Sequence, residues 1–478
     1  MGKKFYLTTP IFYPNAKLHM GHAYTTVLAD ALARYHRLRS EETYLLTGSD
    51  ENTEKVVRAA KDAGVDVKTF LDGIVSNFKS LFSSLGSSYD QFIRTSDEKI
   101  HYPGAQALWQ KLVEAGDIYK SSYEGLYCVG HESFITEKEL VEGKCPDHGT
   151  PPEKLKEENY FFRLSRYSGR VKDLIESGQL EITPASRQGE ILSLLKEGLA
   201  DISFSRPASK VTVGIPVPGD DTQRMYVWCD ALSNYITAIG YGRDESSFKK
   251  YWPADLHVIG KDILRFHAAI WPAMLLSGGI PVPKRILVHG FITSGGKKMS
   301  KTLGNVIDPQ ELIEEYGAEA VRYYLLRHVS PFEDGDLTKE SFKEVYNANL
   351  ANGLGNLISR TLTMAGTLGV KLSYHPSDEE VLAVESEYTK HFENLEVNRA
   401  LDLIFSRVSE LDAYIQETQP FKLIKTDPEK AKKHLEYLLE ELAEIAVLLR
   451  PFLPNTAESI FKALGEGKNP GALFLRKE

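Results

Sequence analysis

The first 115 residues alternate between strand-like and helix-like patterns, and this alternation constrains the fold more than any other feature of the chain. Short apolar runs of strand type at residues 4–9 and 42–47 are each followed by a segment with helical periodicity, at 21–38 and 52–64. Such alternation, with polar turns between, is typical of a parallel sheet covered by helices. The sequence therefore predicts an α/β fold.

After this region the sequence becomes rich in tyrosine, glycine and turn residues, from about Asp117 to Arg224, which indicates an insert. The α/β pattern then resumes, with strand-like runs at 225–229, 256–259 and 285–289 and a helical segment at 263–277. Beyond about Gly335 the apolar positions recur with helical spacing, through residues 341–368, 378–416 and 430–449.

These changes of pattern predict a sheet domain that is split by an insert and followed by a helical bundle. We place the first half of the sheet domain at 1–116, the insert at 117–224, the second half of the sheet domain at 225–335 and the helical domain at 336–478.

The composition excludes several classes of protein. The longest apolar run, 268–276, has nine residues and contains Pro272, so nothing in the sequence is expected to span a membrane. Three cysteines are too few for a disulfide framework and fit a reducing, cytoplasmic location. The net charge of −9 argues against a protein that coats nucleic acid, although a local basic groove remains compatible with it.

The segment His19-Met20-Gly21-His22 lies where the first strand leads into the first helix. The free N–H groups and the positive end of the dipole at a helix N-terminus attract phosphate. Both histidines can donate hydrogen bonds to phosphate oxygens, and Gly21 leaves room for adenine or ribose to approach the backbone. The alternative is a metal-binding pair or two structural histidines.

A second segment, Gly295-Gly296-Lys297-Lys298-Met299-Ser300-Lys301, predicts a mobile glycine-bearing loop whose lysines could hold departing phosphates. The alternative is a solvated surface turn. The loop follows the strand-like run at 285–289, however, and the carboxyl edge of an open sheet is where ligands bind in such folds. Together the two segments indicate a site that binds ATP.

The insert carries two Cys-x-x-His pairs, Cys128/His131 and Cys145/His148, separated by 13 residues. Four such ligands in two tight turns suit tetrahedral Zn²⁺ without an open position, which is a structural site. The alternative is two reduced thiols beside surface histidines. Cys229 lies in a buried-strand pattern and is expected in the core.

The two signature segments match those of the class I aminoacyl-tRNA synthetases, and the wider sequence resembles the methionyl-tRNA synthetase family over essentially the whole chain. The stretches that carry the resemblance are TTPIFYPNAKLHMGHAYTTVLADALARYHRL, YVWCDALSNYITA, HVIGKDILRFHAAIWPAMLL and GGKKMSKTLGNVIDP. The resemblance implies a Rossmann-like parallel sheet split by a zinc-knuckle insert and followed by an α-helical anticodon-binding domain. It also implies a ligase that forms methionyl adenylate from methionine and Mg·ATP and transfers the methionyl group to tRNA(Met).

The resemblance further implies a role for individual residues. His19, His22, Lys298 and Lys301 would be catalytic. The ATP site would comprise His19, Gly21, His22, Gly260, Asp262, Lys298, Met299, Ser300 and Lys301. The methionine site would comprise Ile11, Tyr13, Asp50, Trp228, Ala231, Leu232, Tyr235, Ile263 and His267, with Asp50 holding the α-ammonium group. Without the family, most of these apolar positions would be interpreted as ordinary core.

The chain departs from the family in three places. It has Asn52-Thr53 where histidine and glycine are common, His131 where the zinc knuckle usually has cysteine, and Phe421 where the anticodon domain usually has tryptophan. Asn356 and Arg360, one helical turn apart, match the pair that reads the anticodon bases, and Phe421 would stack on a base.

Other functions remain open at this point. Leucyl, isoleucyl and valyl enzymes carry a much longer insert, and a cysteinyl enzyme would need zinc in its amino-acid pocket. A non-catalytic tRNA-binding relative would not need intact His19, His22, Lys298 and Lys301. A nucleotidyltransferase would not need the helical bundle. We expect a monomer.

Overall fold

The computed structural model describes residues 3–14, 17–128, 133–135, 137–146, 149–299, 305–372 and 376–478. Its strands are β1 (Lys4–Phe12), β2 (Glu42–Ser49), β3 (Gln91–Arg94), β4 (Ile118–Cys128), β5 (Ser133–Ile135), β6 (Glu153–Phe162), β7 (Glu181–Thr183), β8 (Ile202–Ser203), β9 (Ser205–Pro207), β10 (Pro216–Val217), β11 (Asp220–Met225), β12 (Leu256–Gly260), β13 (Arg285–His289), β14 (Ile292–Ser294), β15 (Lys297–Lys298) and β16 (Gly335–Asp336).

The α-helices are α1 (Met20–Leu38), α2 (Glu54–Asp62), α3 (Val67–Ser84), α4 (Tyr102–Glu114), α5 (Ser168–Glu176), α6 (Ala185–Glu197), α7 (Val227–Thr237), α8 (Glu245–Tyr251), α9 (Trp271–Ser277), α10 (Pro309–Tyr316), α11 (Ala318–Arg327), α12 (Lys339–Val345), α13 (Asn356–Leu368), α14 (Asp378–Val384), α15 (Ser386–Glu393), α16 (Val397–Thr418), α17 (Pro420–Thr426), α18 (Pro428–Leu449) and α19 (Pro454–Glu466).

A six-stranded parallel sheet forms the centre of the molecule, with the spatial order β3-β2-β1-β12-β13-β7. Every pair in it is parallel, as Leu7 opposite Leu256 and Ile286 opposite Ile182 illustrate. The strands are apolar on both faces because helices cover both, with α1 and α3 on one side and α4, α7 and α9 on the other. The predicted Rossmann-like sheet is confirmed.

The strand predicted at 225–229 is wrong in most of its length. Strand β11 ends at Met225, and helix α7 begins at Val227, so that Trp228 and Cys229 lie on a helix. Every residue of α7 is buried, and a fully buried helix has the same continuous apolar pattern as a fully buried strand.

The predicted insert contributes to the central sheet as well as forming one of its own. Strands β5, β4, β6 and β8 make an antiparallel sheet, whereas β7, also within 117–224, pairs in parallel with β13. This pairing covers the backbone edge that β13 would otherwise expose.

Three of the predicted helical segments are interrupted, the first of them, 341–368, by a π-helical stretch at Tyr346–Gly355. Residues 378–416 form three helices, because the chain breaks at Glu385 and at Leu395, which has a positive φ of 62°. The segment 263–277 begins as a 3₁₀ turn and passes through a π-helical stretch, Phe266–Ile270, before α9. All helices of the described residues are too short or too polar to cross a bilayer.

The helical domain and the sheet share one continuous apolar core. Leu7 on β1, Val27 on α1, Leu325 on α11 and Leu439 on α18 belong to the same cluster of buried side chains. The helical domain is therefore packed directly against the helix that follows the first strand.

Candidate active site

The candidate site lies along the carboxyl edge of the parallel sheet. Tyr13 follows β1, Asp50 follows β2, Gly260 ends β12 and His289 ends β13. Because the strands are parallel, these residues meet at one edge, where the strand order reverses around β1 and ligands bind in open α/β sheets.

Two histidines form a reciprocal cap at the start of α1. His19 is the N-cap residue, and its Nδ1 accepts a hydrogen bond from the backbone N–H of Gly21 at 3.1 Å. His22 Nδ1 accepts in turn from the backbone N–H of His19 at 3.1 Å. Since both Nδ1 atoms are acceptors, each neutral ring carries its proton on Nε2, where it is available to donate to a ligand oxygen.

Both imidazoles are held in the neutral form. Desolvation lowers the pKa of His19, with Asp262 opposing and Lys298 adding to this shift. Desolvation and the neighbouring His19 hold the pKa of His22 well below 6.5. His19 is itself exposed, and its pKa is lowered because nearby protein atoms replace part of the water around the ring. Near pH 7 the pair therefore offers N–H donors, not positive charges.

Glycine is required beside two of the polar side chains. A Cβ on Gly21 would lie 2.9 Å from Cε1 of His19, and a Cβ on Gly260 would lie 2.7 Å from Oδ1 of Asp262. The absence of a Cβ at Gly21 and at Gly260 therefore leaves room for the side chains of His19 and Asp262, which are both predicted to bind ATP. The closest neighbour of Gly21 is His19 itself, and the expected approach of adenine or ribose stays a prediction.

The lysine segment begins as a tight hairpin rather than an open loop. Gly295 and Gly296 have positive φ angles of 61° and 70° and join β14 to β15, the geometry of a two-residue turn. Lys297 and Lys298 are both exposed on β15, and the charge of Lys298 acts on His19. Met299 packs against the core, whereas Ser300 and Lys301 lie outside the described residues.

The structure brings the predicted methionine-site residues together on the opposite side of the sheet from α1. Trp228, Ala231, Leu232 and Tyr235 are buried on α7. Ile11, Tyr13 and Ile263 are half-buried and pack against the same core cluster. Methionine's apolar, unbranched thioether matches walls of this kind.

A buried hydrogen-bond chain orders one wall of this pocket. The Tyr235 hydroxyl lies 2.7 Å from Nε2 of His267, and Nδ1 of His267 lies 3.0 Å from the carbonyl oxygen of Ile263. Burial lowers the pKa of His267 to about 4. The ring is therefore neutral, donating from Nδ1 to the carbonyl and accepting at Nε2 from the tyrosine.

The turn that carries Asp50 is anchored on both sides. Asp50 is buried, and its backbone N–H donates to the carbonyl of Phe12 at 2.9 Å. The next residue, Glu51, is fully buried and accepts from Nε of Arg94 at 2.8 Å. Its N–H donates to Oγ1 of Thr95 at 2.7 Å. These contacts fix the backbone of the Asp50 turn relative to β1 and β3.

Asn52 belongs to a buried polar network that the sequence did not indicate. Its Nδ2 donates to the carbonyl of Thr95 and to Oδ2 of Asp230, each at 2.8 Å. The other oxygen of Asp230 lies 2.6 Å from Nε2 of His101, whose Nδ1 lies 2.7 Å from Oγ1 of Thr237. The network ties the Asp50 turn to the pocket helix α7.

Sequence reasoning missed two further residues at the site. Phe266 stacks on Trp228 with 3.5 Å between ring centroids and 10° between planes. Nε2 of His289 lies 2.8 Å from Oγ1 of Thr25 and so links β13 to α1. The position of His289 at the end of the predicted strand 285–289 could have indicated a role, whereas Phe266 lies inside a predicted helix and had no such signal.

The predicted zinc ligands are described only in part. Cys128 and Cys145 are both buried and share a small apolar cluster with Ile135. His131 and His148 lie outside the described residues. Among the residues that are described, no three His, Cys, Asp or Glu side chains are grouped as metal ligands.

The predicted anticodon residues lie on two helices that pack together. Asn356 is exposed at the start of α13, and Phe421, on α17, is 41% exposed, enough for a base to stack on it. Arg360 is half-buried, and its Nη1 is paired with Asp412 at 2.9 Å.

Two family models match the chain. The model described as tRNA synthetases class I (M) matches residues 5–151 and 147–362, and the anticodon binding domain of methionyl tRNA ligase matches residues 377–471.

Individual relatives agree with these models. A methionine–tRNA ligase of Caldanaerobacter subterraneus subsp. tengcongensis is 46% identical over 97% of this chain and 74% of its own length. One from Brucella suis is 42% identical over 97% of this chain and 92% of its own length. The solved Mycobacterium tuberculosis methionyl-tRNA synthetase in complex with methionyl-adenylate superposes with a TM-score of 0.90 at 37% identity, covering 99% of this chain and 97% of that one.

Proposed function

The chain belongs to the methionyl-tRNA synthetase family of class I aminoacyl-tRNA synthetases, and we propose from this premise that it is a methionine–tRNA ligase. It activates methionine with ATP and transfers the methionyl group to tRNA. One observation supports the roles proposed for these residues. The His19/His22 pair lies near Asp262 and Lys298, at the edge of the sheet where Asp50 also lies.

In the first step, a carboxylate oxygen of methionine attacks the α-phosphorus of ATP. The bond from that phosphorus to the bridging oxygen breaks, and pyrophosphate leaves with the electron pair. No side-chain nucleophile is needed, so the protein's part is alignment and stabilisation of spreading negative charge. The Nε2–H groups of His19 and His22 would donate to the reacting phosphates, and Lys298 and Lys301 would hold the departing ones.

The other residues proposed to contact ATP lie next to the histidine pair, at the end of β12 or in the lysine segment. Gly21 and Gly260 keep the backbone open beside His19 and Asp262, which supports an adenosine site between the start of α1 and the end of β12. Met299 and Ser300 belong to the same lysine segment. Mg²⁺, when bound with ATP, would neutralise phosphate charge.

Methionine recognition rests on charge at one end and apolar packing at the other. Asp50 would hold the α-ammonium group, while the side chain enters the pocket formed by α7, Ile11, Tyr13 and Ile263. Because His267 is neutral, this wall presents no full charge to the thioether. A charged imidazole here would favour a more polar substrate.

In the second step, a hydroxyl of the terminal ribose of tRNA attacks the methionyl carbonyl carbon. The new ester bond forms, the carbon–oxygen bond to the phosphate breaks, and AMP leaves with the electron pair while its phosphate takes the hydroxyl proton. Asn356, Arg360 and Phe421 would recognise the tRNA(Met) anticodon. Phe stacks on a base but lacks the indole N–H that tryptophan offers, so weaker discrimination at the first anticodon base is expected.

A structural zinc ion is also proposed for the insert. Two buried thiols in one small cluster fit a closed tetrahedral site, with His131 and His148 as the other two ligands. When bound, zinc would hold the two turns together and take no part in the reaction. The domain limits 1–116, 117–224, 225–335 and 336–478, a monomeric state and a cytoplasmic location likewise stay proposals.

The function is tested by charging tRNA(Met) with radiolabelled methionine. We expect methionine-dependent acid-precipitable label on tRNA(Met) and at least a hundredfold less on a transcript with an altered anticodon. Absence of charging with tRNA(Met), in a preparation that binds ATP, would contradict the proposed ligase.

A further inference from the structure

The lysine hairpin, which consists of β14, β15 and the Gly295-Gly296 turn, belongs to a small sheet of three strands. The third strand is β16, which pairs in parallel with β14 on the side away from β15. Strand β16 is part of an acidic segment, residues 333–336, that lies between α11 and α12. The position of the hairpin in the molecule therefore depends on a segment that is distant from it in sequence.

One carboxylate of the acidic segment contacts the turn of the hairpin. Oδ1 of Asp336 accepts a hydrogen bond from the backbone N–H of Gly296 at 2.9 Å, and the hydroxyl of Thr293 lies 2.7 Å from the same oxygen. The N–H of Gly296 lies in the turn, beyond the residue pairs that join β14 to β15. Two consecutive glycines give a turn unusual backbone freedom, so this hydrogen bond restrains the part of the hairpin that is freest to move.

The other aspartate of the acidic segment ties it to the end of β12. Oδ1 of Asp334 accepts a hydrogen bond from the backbone N–H of Phe291 at 2.9 Å. Both oxygens of Asp334 contact Nζ of Lys261, at 2.7 and 2.8 Å. Lys261 directly follows β12, so the acidic segment is held against the edge of the central sheet at which the candidate site lies.

The backbone of the acidic segment also packs closely on the chain that leads into the hairpin. A Cβ on Gly290 would lie 2.2 Å from the carbonyl oxygen of Glu333, and the N–H of Leu337 donates to the carbonyl of Thr293 at 3.0 Å. The side chain of Asp336 is exposed, but the backbone that bears it is therefore fixed. Its carboxylate can act as a fixed acceptor for the turn.

The position of the turn in turn determines the position of Lys298. Lys298 is exposed on β15, two residues after Gly296, so its ammonium group follows the hairpin backbone. This group lies 5.9 Å from the ring centroid of Phe291, and its charge acts on His19. A displacement of about 1 Å at a group that acts on the reacting atoms can cost about 10²-fold in rate.

We propose that Asp336 is a positioning residue for the reaction: its Oδ1 fixes the Gly295-Gly296 turn and thereby places Lys298 against the phosphates that leave in the first step. This inference rests on the proposed ligase function and adds to it a residue that itself contacts no substrate. The two donors that meet Oδ1 of Asp336 are neutral, so the role requires an acceptor and not a charge. Asparagine offers an acceptor oxygen in the same place.

Three substitutions test this role. Asp336→Ala removes the acceptor, Asp336→Asn keeps it, and Thr293→Val removes only the hydroxyl. Glu333→Ala, an exposed carboxylate of the same segment, is the matched control. For each protein we would measure the kcat and the KM for ATP of methionine-dependent pyrophosphate exchange, the dissociation constant of methionine without ATP, the melting temperature, and the rate at which trypsin cleaves after Lys297 and Lys298.

Asp336→Ala should lower kcat about tenfold and leave the KM for ATP and the dissociation constant of methionine within about twofold, because Lys298 acts on the departing phosphates in the transition state. Asp336→Asn should keep most of the wild-type kcat, and Thr293→Val should lie between the two. Trypsin should cleave the hairpin several-fold faster in Asp336→Ala, since cleavage follows the population of the opened segment. Glu333→Ala should match wild type in every measurement.

A double substitution tests whether Asp336 acts through Lys298. When Lys298→Ala is already present, adding Asp336→Ala should slow exchange by less than about twofold, because the group that Asp336 positions is gone. A further tenfold loss would mean that the two residues act independently and would overturn the inference.

Other results would also contradict the inference. Asp336→Asn as slow as Asp336→Ala would mean that charge is required, and an unchanged trypsin rate in Asp336→Ala would mean that the turn is held by other contacts. A lower melting temperature together with weaker methionine binding would indicate a general structural role. If the wild type shows no exchange, the ligase function fails, and the trypsin rates alone decide whether Asp336 holds the hairpin.

Discussion

At the residue scale, the two histidines and the lysine segment would stabilise the reacting phosphates in different ways. Their backbone-capping contacts fix both imidazoles with Nε2–H outward, and desolvation keeps them neutral. Neutral donors stabilise developing charge by hydrogen bonding but cannot balance the charge of pyrophosphate. That task falls to lysine, whose ammonium groups stay charged at neutral pH.

Replacing Lys298 by alanine should therefore slow methionine-dependent pyrophosphate exchange about 10²–10³-fold, the usual cost of removing one transition-state donor. The dissociation constant of methionine, measured without ATP, should stay within about twofold, because Lys298 is exposed on β15 and does not belong to the apolar cluster that forms the pocket.

Lys297→Ala is the matched control for this substitution. Lys297 is equally exposed on the same short strand, and successive strand residues point to opposite faces. Exchange in this control should stay near wild type. A loss equal to that of Lys298→Ala, or a parallel weakening of methionine binding, would mean that the hairpin acts structurally.

At the element scale, the methionine pocket depends on contacts between α7 and the π-helical stretch before α9. His267, in that stretch, is neutral and buried against Tyr235. Its pKa is about 4 in the folded chain and about 6.5 when unfolded. The unfolded chain thus binds more protons between these values, so the contribution is complete above pH 6.5 and is lost as the pH falls toward 4.

His267→Gln should therefore flatten the fall in melting temperature between pH 7 and pH 5. A glutamine can still accept a hydrogen bond from the Tyr235 hydroxyl but does not titrate. The pH-dependent loss in the free energy of unfolding that only the wild type shows should reach about 3 kcal/mol near pH 4. The measurement is thermal unfolding of both proteins across this pH range.

Tyr235→Phe serves as the comparison, since it removes one hydrogen bond worth about 1 kcal/mol but leaves His267 buried. Its melting temperature should be lower by a similar amount at every pH. A slope for His267→Gln that equals wild type would show that His267 takes up a proton in the folded protein as readily as in the unfolded chain.

The sequence could predict elements whose pattern is set by neighbouring residues, but not contacts between residues that are far apart in the chain. Strand β13 matches the predicted bounds 285–289, and α1 begins one residue before the predicted 21. The strand predicted at 225–229 failed because an entirely buried helix has no polar face to reveal its period. The Asn52–Asp230 contact joins residues 178 apart, and no local pattern could indicate it.

At the scale of the whole molecule, one buried arginine connects the sheet domain with the helical domain. Arg322 on α11 pairs with Asp30 on α1 at 2.7 Å. Its guanidinium also donates to the carbonyls of Phe452, Pro451 and Leu85. The helix that begins at the histidine pair is thereby tied to the break between α18 and α19.

Arg322→Met should destabilise the protein by about 3 kcal/mol, because three buried carbonyls lose their donor and Asp30, which keeps its pair with Arg34 at 2.8 Å, loses its buried partner. Calorimetry should show a lower melting temperature, with unfolding of the helical domain separated from that of the sheet.

Arg327→Met, on the same helix, is the control for this change. Arg327 pairs with Asp402, which is 57% exposed, and such pairs contribute about 1 kcal/mol or less. Equal losses in the two variants would contradict a special role for the Asp30–Arg322 link. The sequence did not indicate this link, because a lone arginine in an amphipathic helix is normally at the surface.

The central claim is that this sheet edge activates methionine and no other amino acid, and ATP–pyrophosphate exchange without tRNA tests it most directly. The assay would compare methionine, leucine, cysteine and no amino acid under identical conditions. The account predicts exchange with methionine alone. Exchange supported equally by leucine or cysteine, or none with any amino acid, would contradict it.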